Sequence, residues 1–113
     1  MTIQLKDPTL FKTQAFISGQ WVDSEKGETF SVYNPATGEL LVEVASVGLN
    51  ETRRAINDAQ TAMASWRELP AKNRSDILER WYNLVLENAE DLALLMTAEQ
   101  GKPLFESRGE IGY

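Results

Sequence analysis

The hydrophobic spacing of the chain changes at Gly48, and this change limits the fold more than any other feature of the sequence. Before Gly48, apolar and polar residues alternate over short stretches separated by turn residues, whereas after it apolar residues recur three and four positions apart. Alternation is typical of a half-buried strand, and the longer spacing is typical of an amphipathic helix. The sequence therefore predicts an α/β fold, with an antiparallel strand layer at residues 15–47 and a helical part at residues 48–113.

The strand layer is predicted to contain three strands, which run from about Phe16 to Val22, from Thr29 to Tyr33 and from Leu40 to Val47. β-Branched and aromatic residues are frequent in all three. Residues 34–38, Asn-Pro-Ala-Thr-Gly, supply a turn in which proline presets φ and glycine accepts the left-handed conformation. The second and third strands are therefore expected to pair antiparallel, and residues 1–14 are left as an N-terminal tail.

Cap residues divide the helical part. Asn50 is the expected N-cap of the first helix. At Asn88 the apolar pattern resets, so a break is predicted between the second and third helices. Gly101 stands where the third helix should end, and a fourth begins with Pro103 and runs to Tyr113. Because this last helix carries no stop signal, we expect one incomplete domain that is truncated within a helix.

The composition excludes several kinds of site. The 113 residues include no cysteine and no histidine, so the chain has no thiolate nucleophile, no Ser-His-Asp or Cys-His triad and no imidazole or thiolate metal ligand. Its 17 acidic and 11 basic side chains give a net charge of -6, which disfavours nucleic acid as a partner. The sequence also lacks a Gly-x-Gly-x-x-Gly string. No catalytic and no cofactor-binding residue is therefore predicted in this chain.

Neither a signal peptide nor a membrane span is predicted. The first residues include Lys6 and Asp7 and no continuous apolar stretch. The most apolar stretch, Leu92 to Met96, is far shorter than the roughly 20 residues that a transmembrane helix needs. A cytoplasmic location without membrane contact is therefore expected.

Several motifs follow one another along the chain after its first dozen residues. In order they are Phe16-Ile17-Ser18-Gly19-Gln20-Trp21-Val22-Asp23, Tyr33-Asn34-Pro35-Ala36-Thr37-Gly38-Glu39, Glu51-Thr52-Arg53-Arg54-Ala55-Ile56, Leu95-Met96-Thr97-Ala98-Glu99-Gln100-Gly101-Lys102-Pro103-Leu104 and Gly109-Glu110-Ile111-Gly112-Tyr113. Together they resemble the opening of the aldehyde dehydrogenase superfamily. The fourth motif, preceded by Trp81-Tyr82-Asn83-Leu84, is similar to the succinate-semialdehyde branch of that family.

The resemblance implies an activity as well as a fold. Members of this family combine a Rossmann-like cofactor domain, a catalytic domain and an oligomerisation arm in a much longer chain. A cysteine thiolate attacks the aldehyde, hydride passes to NADP or NAD, and a glutamate-activated water releases the acid. A full-length protein of this kind is thus expected to oxidise a small aldehyde as a homo-oligomer. The 113-residue chain alone is expected to be inactive and to bind neither cofactor.

The resemblance further implies a weak monovalent cation site. The family places a cation between the strand that enters the Asn-Pro turn and the acidic residue before Gly-Lys-Pro, and Val32 and Glu99 match these positions. The Val32 carbonyl and the Glu99 carboxylate would then be hard oxygen ligands. Glu99 has an alternative role as a solvated residue in the last turn of a helix. The chain as a whole also has an alternative function, that of an orphan fragment that self-associates or binds a partner through its apolar helix stripes.

Overall fold

A computed structural model describes residues 3–113, and in it the strands precede the long helices. The elements are β1 (Ala15–Ile17), β2 (Gln20–Val22), β3 (Thr29–Tyr33), β4 (Leu40–Ala45), α1 (Leu49–Glu68), α2 (Ala71–Glu87), α3 (Ala89–Gln100) and α4 (Leu104–Gly112), with a short 3-10 helix at Pro8–Leu10. The predicted order, a strand layer followed by helices, is confirmed. Within the described residues, no helix is long and apolar enough to cross a membrane.

The segment from Phe16 to Val22 forms most of a hairpin, and the prediction of a single strand there is wrong. β1 and β2 pair antiparallel with Phe16 opposite Trp21, and the two aromatic rings lie 5.1 Å apart between centroids. Ser18 and Gly19 have positive φ angles of 55° and 76°. Two successive residues with positive φ form the tight turn whose twist matches paired strands. The apolar spacing does not reveal this turn, because Ile17 and Trp21 keep their alternation across it.

β3 and β4 form a second two-stranded sheet. β3 has its predicted limits, whereas β4 ends at Ala45 and not at Val47. The turn between them is held by Asn34, whose carbonyl accepts a hydrogen bond from the Gly38 N–H at 2.7 Å and whose side chain accepts one from the Ala36 N–H at 2.9 Å. Gly38 has a φ of 74°, which is the left-handed conformation expected for this turn.

The chain divides into two compact units. Unit 1 comprises the described residues up to Lys12, residues 31–42 and residues 79–113, so it contains α3 and α4. Unit 2 comprises residues 13–30 and 43–78, so it contains the β1–β2 hairpin and α1. Ala93 is the buried apolar side chain of unit 1 and Ile17 that of unit 2 among the described residues.

In unit 2, α1 begins earlier than the cap prediction placed it. Gly48, not Asn50, is the N-cap, and the Gly48 carbonyl accepts the Thr52 N–H at 3.1 Å. The reason is the carboxylate of Glu51, which occupies the third helical position and accepts the Gly48 N–H at 3.1 Å. A glutamate at this position satisfies the N-cap amide, so the helix start does not need the Asn50 side chain.

In unit 1, the predicted break at Asn88 is confirmed, but its side chain acts on the preceding helix. The backbone N–H and the side-chain amide of Asn88 both donate to the Leu84 carbonyl, at 3.2 and 2.8 Å. Asn88 therefore satisfies the C-terminal end of α2 and makes no side-chain capping bond to α3. The predicted end of α3 is confirmed at Gly101, which is left-handed and donates to the Thr97 carbonyl at 2.9 Å.

Candidate functional site

The α3–α4 pair carries the motif that includes Gly-Lys-Pro, and it is the best-packed part of unit 1. Ala93 in α3 and Ser107 in α4 are both fully buried, and small side chains at these positions let the helices approach closely. The hydroxyl oxygens of Thr97 and Ser107 lie 2.8 Å apart and share a hydrogen bond. The pair is therefore fixed by close packing of small side chains and by a part-buried hydrogen bond.

Ion pairs fix the edges of the same helix pair. The Arg108 guanidinium donates to both carboxylate oxygens of Glu90, at 2.9 and 2.6 Å. These hydrogen bonds lower the pKa of Glu90 below its ordinary value and raise the pKa of Arg108, because each group stabilises the charged form of the other. On the α3–α4 connection, the Lys102 ammonium donates to the carboxylate of Glu110, and the Lys102 side chain is largely buried.

Gly101 brings the end of α3 against the turn that follows β3. Its φ of +85° is accessible to glycine, and a Cβ atom there would lie 2.6 Å from Cγ of Pro35. Only a residue without a side chain permits this approach. The Asn-Pro turn and the Gly-Lys-Pro segment are thus neighbours inside unit 1, although Pro35 and Gly101 are 66 positions apart in sequence.

The two predicted cation ligands lie on these neighbouring elements. Val32 is half-buried in β3, and Glu99 is exposed in the last turn of α3. Among residues 3–113 there is no cluster of three or more carboxylates that could hold a metal ion. A site built from one carbonyl and one carboxylate is a different kind of site, so the cation assignment stays a prediction.

Asp91 has a role that the sequence pattern does not predict. Its side chain is buried, and its two carboxylate oxygens accept the backbone N–H groups of Lys6 and Asp7, at 3.0 and 2.9 Å. From the sequence alone, an acidic residue at this position is explained by the helix dipole, which favours negative charge at the N-terminal end of α3. Its partners lie 85 and 84 positions away, so no local signal could indicate them.

Glu51 is the corresponding buried carboxylate of unit 2. Its oxygens accept the backbone N–H of Glu25 at 2.9 Å and that of Gly48 at 3.1 Å. The hydrogen bond from Glu25 is the main reason that the pKa of Glu51 lies below its ordinary value, and the nearby Arg54 charge contributes further. Arg54 also forms an exposed ion pair with the Glu25 side chain at 3.7 Å. Glu51 therefore ties the loop after β2 to the start of α1.

These groups position backbone and are not arranged for bond-making chemistry. The buried carboxylates Asp91 and Glu51 accept hydrogen bonds from backbone N–H groups, and the exposed carboxylate Glu90 accepts them from Arg108. The sequence contains neither cysteine nor histidine, so it offers no thiolate and no imidazole base. The described site is thus a set of fixed turns and helix ends that could support a catalytic centre supplied by other residues.

The sequence and the fold together identify the class of the protein. The sequence model described as the aldehyde dehydrogenase family matches residues 21–113. This match covers most of the chain, and the chain belongs to the aldehyde dehydrogenase family. The prediction made from the motifs is confirmed.

Curated relatives narrow the similarity to enzymes named for semialdehydes. The chain is 55% identical over 111 residues to the glutarate-semialdehyde dehydrogenase of Pseudomonas putida, and this covers 98% of the chain and 23% of that enzyme. It is 50% identical over 111 residues to the NADP(+) succinate-semialdehyde dehydrogenase of Escherichia coli K12, again covering 98% of the chain and 23% of the relative. The chain therefore spans about a quarter of the length of these relatives.

Solved structures show the same arrangement. An NADP-dependent enzyme of E. coli matches with a TM-score of 0.95 at 51% identity, over 97% of this chain and 23% of that one. The betaine aldehyde dehydrogenase of Staphylococcus aureus, solved with NAD+, matches with a TM-score of 0.86 at 28% identity, over 92% and 21% of the two chains. The fold described above is thus part of the aldehyde dehydrogenase fold.

Proposed function

We propose that the chain acts as part of an NAD(P)-dependent dehydrogenase that oxidises a small semialdehyde, of the succinate or glutarate type, to the dicarboxylic acid. The observation that carries the proposal is the identity of 50 to 55% across 98% of the chain with enzymes named for these two substrates. Identity of this extent indicates a shared role in the fold. The proposal includes both substrates and both cofactors, NADP and NAD.

Within such an enzyme, this chain would supply support and no reacting group. Aldehyde oxidation in this family needs a thiolate, and the chain has no cysteine. The N-termini of α1 and α3 do not fit the pyrophosphate of a dinucleotide, because the carboxylates of Glu51 and Asp91 already lie there and would repel it. The nucleophile and the cofactor site are therefore assigned to residues outside these 113.

A graft would test the proposed function. The 111-residue segment of the E. coli succinate-semialdehyde dehydrogenase that matches this chain is replaced by the chain itself. We expect the chimera to form NADPH from succinate semialdehyde. A chimera that folds but stays inactive towards both succinate and glutarate semialdehyde would contradict the proposal.

The isolated chain supplies a second test. Purified 113-residue chain is incubated with succinate semialdehyde and NADP, with the E. coli enzyme as positive control. No NADPH should form and no cofactor binding should be measurable. Turnover above a buffer blank would show that the chain carries catalytic groups of its own and would overturn this assignment.

The proposal retains the predicted cation site at Val32 and Glu99. The contact between Gly101 and Pro35 supports it, since this contact brings the end of α3 to the turn that follows β3. Sodium or potassium titration should shift the carbonyl resonance of Val32 and the carboxylate resonance of Glu99 together. A titration that moves neither resonance would remove the site from the proposal.

Assembly, location and domain organisation also belong to the proposal. We expect the chimera to sediment as a homo-oligomer, with no affinity for nucleic acid or membranes, and we place the protein in the cytoplasm. Residues 1–14 are assigned to a tail, residues 15–47 to the strand layer and residues 48–113 to the helical part of one domain that further chain completes. A monomeric chimera would contradict the oligomer assignment.

A second candidate function is protein binding by the chain itself. The observation in its favour is the exposure of large apolar side chains on the part of α2 that belongs to unit 1, including Trp81 and Leu84. Sedimentation of the isolated chain would then show a self-associated species that Trp81→Lys disperses. Glu79→Lys, which changes charge on the same helix, would be the matched control.

A further inference from the structure

The first described residues form a strap, here defined as residues 3–11. Along it, Ile3 and Leu5 are half-buried, whereas Gln4 and Lys6 between them are exposed. The alternating burial over residues 3–6 turns one side of this part of the strap inward. Its middle is tied to α3 by the two hydrogen bonds that Asp91 accepts from the Lys6 and Asp7 N–H groups.

The C-terminal half of the strap is held by its own side chains. The carboxylate of Asp7 accepts the backbone N–H of Thr9 at 2.9 Å and the Thr9 hydroxyl at 2.7 Å. These bonds cap the short 3-10 helix at Pro8–Leu10, which has no buried residue. Because this local structure does not depend on α3, it can persist when the strap is detached.

The strap forms one side of an open groove of about 740 Å³ in unit 1, with both polar and apolar lining. Most of the lining comes from the strap and the rest from β4: Ile3, Gln4, Leu5, Pro8, Phe11, Leu40 and Leu41. Movement of the strap would therefore separate it from Leu41, which is half-buried, and from Leu40, which is already exposed.

We propose that the strap detaches and reattaches as one unit along this groove and that Asp91 is its latch. The carboxylate is buried and accepts both N–H groups, so the loss of either hydrogen bond is unfavourable. The two donors are successive N–H groups, so a displacement that breaks one bond also strains the other. Release of the strap is therefore expected to be cooperative and to leave the α3–α4 pair intact. This proposal does not depend on the dehydrogenase activity.

Amide hydrogen exchange of the 113-residue chain tests the latch. Asp91→Asn keeps the shape of the side chain but presents an amide to one of the two N–H groups. The Lys6 and Asp7 amides should then exchange about tenfold to a hundredfold faster, while the Gly101 amide at the end of α3 is unchanged. Glu87→Gln is the matched control, because it removes an exposed carboxylate of the same unit and neither of the two bonds.

A second pair of variants leaves α3 untouched. Lys6→Pro removes one of the two donors, and Gln4→Pro places the same ring on an exposed strap position. Lys6→Pro should accelerate exchange at Asp7, and Gln4→Pro should not. Unchanged exchange at Asp7 in both Asp91→Asn and Lys6→Pro would show that Asp91 is not the latch. An equal acceleration at Gly101 would show that the strap does not open as a separate unit. Either result overturns the proposal.

Discussion

Gly101 is under two constraints that can be measured separately. Its backbone is left-handed, and a Cβ atom would collide with Pro35. Gly38 has a similar φ of +74°, but no atom lies within 4 Å of its would-be Cβ. Substitutions at these two glycines therefore distinguish the cost of backbone strain from the cost of a steric clash.

Gly101→Ala is predicted to destabilise unit 1 more than Gly38→Ala. The left-handed conformation alone should cost about 1–2 kcal/mol at either position. At Gly101 the contact of 2.6 Å adds to that cost, because proline is rigid and cannot give way. Urea unfolding measures both variants, and equal losses would contradict the close approach to Pro35.

The buried carboxylate of Glu51 predicts a pH dependence of unit 2. Its pKa is lowered below the ordinary value of 4.5, mainly by the Glu25 N–H bond. A lowered pKa means that the unfolded state binds the proton more readily, so the stabilisation is present above pH 4.5 and is lost as pH falls below it. Thermal unfolding between pH 3 and pH 6 should therefore show the melting temperature of the native chain falling towards acid.

Glu51→Gln is the variant that checks the origin of this dependence. At neutral pH its melting temperature should be lower than that of the native chain. Its melting temperature should also fall less as the pH is lowered. Glu43→Gln, in β4, is the control, since it removes an exposed carboxylate of unit 2 and leaves both hydrogen bonds of Glu51 in place. If the acid sensitivity of Glu51→Gln equals that of the native chain, another group is responsible.

At the scale of elements, the hydrogen bond between Thr97 and Ser107 is one of the contacts that join α3 to α4. Ser107→Ala should lower the free energy of unfolding by about 1 kcal/mol, because the half-buried Thr97 hydroxyl loses its partner in the helix pair. Ser65→Ala removes an exposed hydroxyl that donates to the Ala62 carbonyl at 3.1 Å. This control should stay within about 0.5 kcal/mol of the native chain. Similar losses in the two variants would contradict a buried contact.

The elements that the sequence predicted well are those with a local cause. The spacing from Ala55 to Trp66 indicated α1, and the cap chemistry at Asn88 and Gly101 indicated both ends of α3. The apolar alternation does not indicate the hairpin turn at Ser18 and Gly19, because both strands of the hairpin fit one alternating pattern. Its glycine could have indicated the turn, since a glycine within an alternating segment often marks one.

The candidate site depends on contacts between distant positions, and these could not be predicted from periodicity. The resemblance to the family placed Val32 and Glu99 in one site, but the close approach of Gly101 to Pro35 appears only in three dimensions. Glu51 belongs to one of the family motifs, but the motif does not indicate its hydrogen bond with the Glu25 N–H, which lies 26 positions away. Sequence spacing reports the side of a helix that is buried and does not report its partner.

For the molecule as a whole, the exposed apolar side chains give a prediction about context. Trp81 is 66% exposed in this chain, so Trp81→Lys should change its free energy of unfolding by no more than about 0.5 kcal/mol. In the E. coli chimera, by contrast, the residue is expected to be covered by further chain, and the same substitution should cost about 3–5 kcal/mol. The denaturation midpoints of the isolated chain and of the chimera, each with and without Trp81→Lys, measure this difference. An equal effect of the substitution in both proteins would contradict the proposed place of the segment in a larger enzyme.

The latch between the strap and Asp91 has a consequence for biosynthesis. Lys6 leaves the peptidyl-transfer centre 85 residues before its acceptor is made. At about 5–20 residues per second, the ribosome needs roughly 4–17 s to reach Asp91. During that time the N–H groups of Lys6 and Asp7 lack their acceptor, so the strap cannot be latched. The order of synthesis thus makes the first residues of this chain among the last to reach their final position.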